Sequence, residues 1–126
     1  KLVIDVTNEK IFLMIITKDD IYNITKENTK INYEKLTLIL KDFLNSNNLK
    51  LEDIQKIYVN RGPGSFAGIR NSLSIVKAIN VARNVDYYCY SLEDFKDQKD
   101  VKYEDIPNLC DKFKIKKNLI KPIYLS

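Results

Sequence analysis

The sequence predicts a single α/β domain, a ribonuclease-H-like lobe built on a mixed five-stranded sheet. Three short apolar runs separated by brief polar breaks fill the first 25 residues, which is typical of an antiparallel meander. Two later apolar runs alternate with longer helix-like stretches, which is typical of parallel strands joined by a helical crossover. The length of 126 residues suits one domain with a modest core.

The individual elements follow from local pattern. Asn32 is a plausible N-cap for the first helix, and Ser91 with Asp94 three residues on predicts a short capped helix. Another short helix is expected at residues 104–113, interrupted near its start by Pro107. Strands are predicted at residues 2–6, 11–17, 21–25, 56–60 and 86–90, and long helices at residues 33–45 and 69–83.

This order of strands and helices is that of the lobe shared by ribonuclease H and the actin-type ATPases. From residue 96 the composition changes, and lysine and aspartate dominate the next few positions. The sequence therefore predicts an N-lobe at residues 1–95 and a lysine-rich C-terminal tail at residues 96–126.

Composition excludes several classes of chemistry. The chain has no histidine, so histidine-based metal binding, general-base catalysis and catalytic triads are excluded. Its two cysteines, Cys89 and Cys110, are too few for a disulfide framework, and Cys89 is expected in the core. No apolar run approaches the ~18 residues of a membrane span. We therefore expect a cytoplasmic protein without a membrane partner, a metal site or a cofactor.

The most informative segment contains all three glycines of the chain. It lies between a predicted strand and a predicted helix, a junction that suits either an anion or a close backbone contact. It fits the dinucleotide fingerprint G-x-G-x-x-A, but Asp86 begins the next strand, whereas a ribose-binding acid would end it. Close packing around the glycines is the favoured interpretation. This glycine motif consists of Arg61, Gly62, Pro63, Gly64, Ser65, Phe66, Ala67, Gly68, Ile69 and Arg70.

Two enzymatic alternatives of the same fold find little support. A two-metal nuclease needs three carboxylates, and Asp5 and Glu34 could supply two, but the third place holds the neutral Asn60. An actin-type ATPase grips phosphates with a glycine-containing hairpin after its first strand, and residues 5–9 contain no glycine.

Both long helices carry apolar residues around much of their circumference. Leu38 lies nearly opposite the main apolar stripe of the first helix, and Ala78 and Ala82 widen that of the second. Either a partner covers these additional apolar residues or the sheet of this chain does. Cover by a partner is the more specific interpretation. The residues expected to contact a partner are Tyr33, Leu36, Leu40, Phe43, Leu73 and Val76.

The glycine motif, with alanine at position 67 where threonine is usual, resembles the signature of the TsaB (YeaZ) family. Residues 4–7, Lys77-Ala78, residues 90–93 and the ending Pro122-Ile123-Tyr124-Leu125 strengthen the likeness. The resemblance covers residues 1 to about 95 and that last tetrapeptide. It departs after residue 95, where family members usually carry a second lobe, so we expect a member that lacks this lobe.

The resemblance implies a non-catalytic scaffold for synthesis of N6-threonylcarbamoyladenosine (t6A) in tRNA. Such a scaffold pairs through its N-lobe helices with the catalytic relative TsaD, and the ATPase TsaE joins them. TsaD binds its metal through histidines, so a chain without histidine fits the non-catalytic subunit. In this setting Ser65 would cap the second helix, while Arg61 and Arg70 would pair with acids of the partner or with a nucleotide phosphate.

The sequence supports three further expectations in addition to the scaffold function. An independent nucleotide-binding enzyme that uses the glycine loop is the alternative function. The exposed helices predict a homodimer of the isolated chain on the same surface. The lysines of residues 112–121 allow weak or indirect contact with tRNA.

Overall fold

The structure is a computed structural model that describes residues 1–96 and 98–125. These residues form seven strands and four α-helices, with 3₁₀ turns at Leu51–Asp53, Leu92–Asp94 and Tyr103–Asp105. The strands are β1 (Leu2–Asp5), β2 (Lys10–Ile16), β3 (Ile21–Glu27), β4 (Lys56–Asn60), β5 (Gly64–Ser65), β6 (Asp86–Tyr90) and β7 (Tyr124–Leu125). The helices are α1 (Lys30–Glu34), α2 (Leu36–Ser46), α3 (Phe66–Arg83) and α4 (Ile106–Lys112).

The main sheet has the strand order β3-β2-β1-β4-β6, which confirms the predicted mixed five-stranded architecture. β1 pairs antiparallel with β2, with Val3 opposite Met14, and parallel with β4, with Val3 beside Tyr58. β4 pairs parallel with β6. The carboxyl ends of β1, β4 and β6 therefore meet at one edge of the sheet, where the glycine motif begins.

The two faces of the sheet have separate cores. Helices α1, α2 and α3 cover the first face, where Ile4, Val59 and Cys89 of the sheet belong to one buried cluster with Leu40 and Val76. α4 and its flanking segments cover the second face. That smaller cluster consists of Val3, Met14, Tyr58, Tyr90, Phe95, Ile106 and Cys110. Residues beyond 95 thus complete the burial of the sheet. The division into an N-lobe and a C-terminal tail at residue 95 stays a prediction.

The first predicted helix is corrected in two respects. It begins at Lys30 with Thr29 as N-cap, whose Oγ1 accepts a hydrogen bond from the Asn32 backbone at 3.3 Å. Asn32 lies inside the first turn, and its side chain donates to the Glu27 carbonyl at 2.8 Å. The helix is also interrupted at Lys35, where ψ rises to 19°, and resumes as α2. The prediction of one helix capped by Asn32 was therefore wrong.

Of three other local predictions, one is confirmed and two are corrected. Asp94 Oδ2 accepts a hydrogen bond from the Ser91 backbone at 2.8 Å, which confirms the predicted cap after β6. α3 begins at Phe66, three residues earlier than the apolar pattern indicated. Pro107 lies in the first turn of α4 and does not interrupt it, because a backbone N–H is not needed there. Within the described residues, no helix combines the length and the apolar character that crossing a bilayer requires.

Candidate functional site

The glycine motif connects the end of β4 to the start of α3. The Arg61 backbone N–H donates to the Tyr90 carbonyl at 2.7 Å, which continues the pairing of β4 with β6. The Gly62 N–H donates to Asn60 Oδ1 at 2.9 Å. Gly62 has φ of +119°, a conformation that only glycine adopts without strain. The chain can therefore leave the sheet abruptly at this residue.

The other two glycines bring the motif against the end of β1. A Cβ atom at Gly64 would lie 2.6 Å from the Thr7 carbonyl oxygen, and one at Gly68 would lie 2.6 Å from the Val6 carbonyl oxygen. Both distances are far below van der Waals contact. The geometry therefore supports the close-packing interpretation of the motif.

The C-terminal segment bonds to the first half of the motif. β7 pairs parallel with β5, with Tyr124 beside Gly64. The Ile123 N–H donates to the Arg61 carbonyl at 2.7 Å, and a side chain at Gly62 would collide with the Ile123 backbone. The motif thus packs against the end of β1 on one side and against the C-terminal segment on the other.

Arg61 forms its ion pair within this chain. Its Nη2 lies 2.8 Å from Asp94 Oδ1, both side chains are largely buried, and Nη1 donates to the Lys121 carbonyl at 3.1 Å. These bonds correct the expectation that Arg61 pairs with a partner or a phosphate, because its donors are used by Asp94 and Lys121. Arg70 remains exposed, with its guanidinium carbon 5.8 Å from the centre of the Phe66 ring.

Ser65 is the N-cap residue of α3 by position, with extended backbone angles. Its side chain makes no capping hydrogen bond, so the predicted capping role was wrong. The hydroxyl instead lines an open cleft beside Thr7, Lys10 and Tyr103. The start of α3 is held by the packing of Gly68 and by the pairing of β5 with β7.

Asp5 forms the most buried polar cluster at this edge of the sheet and is only 3% exposed. Its Oδ1 accepts from the Thr7 backbone at 2.9 Å and from the Thr7 hydroxyl at 2.6 Å. Its Oδ2 accepts from Asn60 Nδ2 at 3.0 Å and from the Tyr103 hydroxyl at 2.9 Å. Four donors therefore satisfy the buried carboxylate, which makes this cluster a structural bond between β1, β4 and the segment before α4.

The cluster lacks the donor set of a two-metal nuclease. Glu34, the second candidate carboxylate, is exposed at the end of α1, and Asn60 donates to Asp5. Among residues 1–96 and 98–125, no group of three or more cysteine or acidic residues is placed to hold a metal ion. Tyr103, which completes the cluster from 98 positions away, was missed because nothing in the local sequence marks it.

Two cysteine thiols and one tyrosine hydroxyl have raised pKa values, so they keep their protons at neutral pH. Burial raises the pKa of the Cys89 and Cys110 thiols to about 12, and both cysteines are free and buried. Burial, followed by the negative charge of Asp5, raises the pKa of Tyr103. Because a thiol attacks only as its thiolate, neither cysteine is suited to act as a nucleophile.

The helix residues expected at a partner surface lie mostly inside this chain. Leu36, Leu40, Phe43, Leu73 and Val76 are each 5% exposed or less, and they belong to the core on the first face of the sheet. Tyr33 is half-buried against the same core. Burial corrects the expectation for the five core residues, because the sheet of this chain already covers the stripe on which they lie.

A different face of the helix layer is open. Ala78 and Ala82 of α3 are exposed, Ile75 is half-buried, and Leu38 on α2 is 54% exposed. A shallow groove of about 210 Å³ runs between the two helices. Its walls are largely apolar and comprise Thr37, Leu40, Lys41, Leu51, Ile75, Ala78, Ile79, Ala82 and Arg83. We refer to this groove as the α2–α3 face.

Comparison with known proteins gives one family and one curated relative. A family model described as TsaD, tRNA N6-adenosine threonylcarbamoyltransferase, matches residues 27–91, which is 65 of the 126 residues. The tRNA threonylcarbamoyladenosine biosynthesis protein TsaB of Buchnera aphidicola subsp. Baizongia pistaciae (strain Bp) is 29% identical over 75 residues. That match covers 60% of this chain and 34% of the relative, so the chain spans about a third of the length of the curated relative.

Solved structures give the same fold. YeaZ from Pseudomonas aeruginosa superimposes with a TM-score of 0.66 at 20% identity, covering 71% of this chain and 42% of the other. A second crystal structure, titled an uncharacterized protein with similarity to peptidase YEAZ from Pseudomonas aeruginosa, matches with the same values. The ribonuclease-H-like lobe predicted from the order of elements is therefore confirmed, and it is the lobe found in YeaZ.

Proposed function

Because the chain belongs to the family of the threonylcarbamoyladenosine proteins TsaD and TsaB (YeaZ), we propose that it takes part in t6A synthesis as a non-catalytic subunit. In this proposal it binds a catalytic, TsaD-like partner through the α2–α3 face. The glycine motif has a structural role, since it sets the distance between α3 and β1.

The exposed side of α3 is the observation that carries the proposal. Between Asn71 and Ala82, Lys77 is the one charged residue in the sequence. A surface helix normally presents charged side chains to water. Between its exposed Arg70 and Arg83, α3 presents Lys77 together with the small or apolar Ser74, Ala78, Val81 and Ala82. Small side chains let a second helix approach closely, and the apolar groove beside them can receive its larger residues. The α2–α3 face is therefore better suited to contact another helix than to remain exposed to water.

The polar groups at the edge of the sheet support a role without catalysis. The Asp5 carboxylate is satisfied by four donors of this chain, and Arg61 is engaged with Asp94. The two thiols are buried and protonated. A catalytic group must reach a substrate, and these groups are committed to holding the fold.

The alternative, an independent nucleotide-binding enzyme, has weaker support. The loop that would hold the phosphates is bonded to Asn60, to Tyr90 and to the C-terminal segment. Calorimetric titration of the isolated chain with ATP, ADP and NAD separates the two functions. Tight stoichiometric binding without a partner would favour the enzyme and contradict the scaffold.

The proposal is tested by association of the full chain with the TsaD homologue of the same organism. Ala78→Arg and Ala82→Arg place a long charged side chain on the α2–α3 face without opening the core. We expect each to weaken the complex at least about 30-fold, the equivalent of about 2 kcal/mol lost at the centre of an interface. Asn108→Arg, an equally exposed helical position on α4, is the matched control and should change the affinity less than about 2-fold.

A complex that survives both arginine substitutions would contradict the use of this face. Failure of the two proteins to associate at micromolar concentration would contradict the scaffold function itself. Sedimentation of the isolated chain adds a second readout, because a homodimer on the same face should dissociate in the Ala78→Arg variant and persist in the Asn108→Arg variant.

A further inference from the structure

The net positive charge of the chain arises at its C-terminal end. Residues 112–126 contain five lysines and no acidic residue, which gives this stretch a net charge of +5. The remaining 16 basic and 17 acidic residues give residues 1–111 a net charge of −1. The formal charge of +4 for the whole chain thus comes from one segment. We call residues 112–121 the lysine strap; it contains Lys112, Lys114, Lys116, Lys117 and Lys121.

The lysine strap is fixed to the free edge of β6, the last strand of the sheet. Asn118 imitates a neighbouring strand there. Its backbone N–H donates to the Tyr87 carbonyl at 2.7 Å, and its Oδ1 accepts from the Tyr87 N–H at 3.0 Å. Its Nδ2 donates to Asp86 Oδ1 at 2.9 Å. The backbone of Lys117 pairs with that of Tyr88 in an antiparallel β-bridge. The strap therefore has a defined course across the molecule.

Packing of the strap directs its lysines to solvent. Ile115 packs against the core on the second face of the sheet, and its neighbours Lys114 and Lys116 are exposed. Lys112 and Lys121 are exposed as well. Within the part of the chain that the structure describes, the ion pairs of the strap are limited to that of Lys117 with Asp86, at 3.6 Å. The other four lysines are exposed and form no ion pair among the described residues.

We propose that the lysine strap binds the phosphate backbone of tRNA. A group of exposed ammonium groups close together in sequence suits binding to a polyanion. Lysine acts on phosphates as a compact point charge and does not read bases by bidentate contacts. Recognition through the strap is therefore independent of RNA sequence and strongly dependent on salt. The choice of RNA among polyanions rests on the proposed function.

The lysine strap lies at the β6 edge, whereas the α2–α3 face lies on the helix layer between α2 and α3. A partner on the α2–α3 face would leave the strap exposed. The scaffold would then bring a second group of positive charges to the RNA substrate of its partner.

The test measures binding of unfractionated tRNA to the full chain without any partner, by fluorescence anisotropy at several salt concentrations. One variant carries glutamine at Lys112, Lys114, Lys116 and Lys121. A matched control carries glutamine at four exposed lysines elsewhere, Lys18, Lys26, Lys30 and Lys50. Both variants lose four charges, so they differ only in where the charge was removed.

For the unaltered chain we expect the affinity to fall ~100-fold between 50 and 200 mM salt, as about four neutralised phosphates predict. The strap variant should bind at least ~10-fold more weakly at 50 mM salt and show a flatter salt dependence. The control should stay within about 3-fold of the unaltered chain.

Three results would overturn the proposal. The first is the absence of measurable tRNA binding by the unaltered chain at 50 mM salt. The second is an equal loss in both variants, which would assign the effect to net charge alone. The third is displacement of the tRNA by poly-glutamate at equal charge concentration, which would assign the strap to an acidic protein surface. Because no partner is present, each result leaves the association on the α2–α3 face to its own experiment.

Discussion

Arg61 and Asp94 form an ion pair at 2.8 Å that ties the glycine motif to the turn after β6. Asp94 also accepts a hydrogen bond from the Ser91 backbone, and Arg61 donates to the Lys121 carbonyl. One largely buried pair thus joins the end of β4, the turn after β6 and the C-terminal segment. Arg61, which the sequence suggested as a ligand-binding residue, therefore has a structural role.

The first prediction concerns this pair. Asp94→Asn removes the charge that faces Arg61 and should lower the free energy of unfolding by about 1–3 kcal/mol, the usual worth of a hydrogen bond to a charged group. Urea denaturation measures the change. Glu27→Gln is the control, because the ion pair of Glu27 with Lys10 is exposed and should contribute about 0.5 kcal/mol or less. Equal effects of the two substitutions would contradict the central role of Arg61.

The second prediction concerns Asp5. Asp5→Asn puts an amide nitrogen where donors already point, so at least one hydrogen bond must be lost in a buried site. We expect a loss of about 2–4 kcal/mol in stability, measured by urea denaturation. Tyr103→Phe removes one of the four donors and should cost about 1 kcal/mol. A smaller loss for Asp5→Asn than for Tyr103→Phe would contradict the four-donor geometry.

The third prediction concerns the glycines of the motif. Gly64→Ala forces Cβ against the Thr7 carbonyl oxygen, 2.6 Å away, and should destabilise the fold by about 1–3 kcal/mol. Ala78→Gly, at an exposed position in α3, measures the ordinary cost of glycine in a helix and should destabilise by about 1 kcal/mol. A neutral Gly64→Ala would mean that the loop does not approach β1 as closely as described.

The fourth prediction concerns alkaline pH. The unfolded chain releases the protons of Cys89 and Cys110 near their ordinary pKa of 9.0, while the folded chain holds them until about 12. The folded state therefore binds more protons between pH 9 and 12, and stability falls as pH rises through this range. We expect a loss of roughly 1 kcal/mol per pH unit for each thiol, seen as a falling urea midpoint.

The control for that experiment replaces both cysteines by alanine. The double variant should show a shallower fall above pH 9, and the remainder should come from tyrosines whose pKa is raised by burial, such as Tyr58 and Tyr103. A rise in stability above pH 9 in the unaltered chain would contradict the assigned burial of the thiols.

Much of the fold could be predicted because strands and crossovers leave local signals. β4 and β6 have the predicted bounds. The start of α1 was missed because Thr29 and Asn32 are both good N-caps, and in the structure the Asn32 side chain bonds to Glu27. That bond depends on the position of β3, which local pattern does not specify.

The site was harder to predict because its contacts join distant positions. Arg61 and Asp94 are 33 residues apart, and Asp5 and Tyr103 are 98 apart. Helical periodicity correctly marked Leu40 and Val76 as apolar-face residues, but it cannot say whether a partner or the chain itself covers that face. We therefore propose the smaller, exposed residues beside them, such as Ala78, as the partner surface.

Hydrogen–deuterium exchange of the full chain, free and bound to the TsaD homologue, tests the central claim most directly. The account predicts that the partner slows exchange in residues 37–45 and 71–82, which carry the α2–α3 face, and leaves α4 unchanged. Slower exchange confined to the free edge of β3 or to α4, with residues 71–82 unaffected, would contradict it.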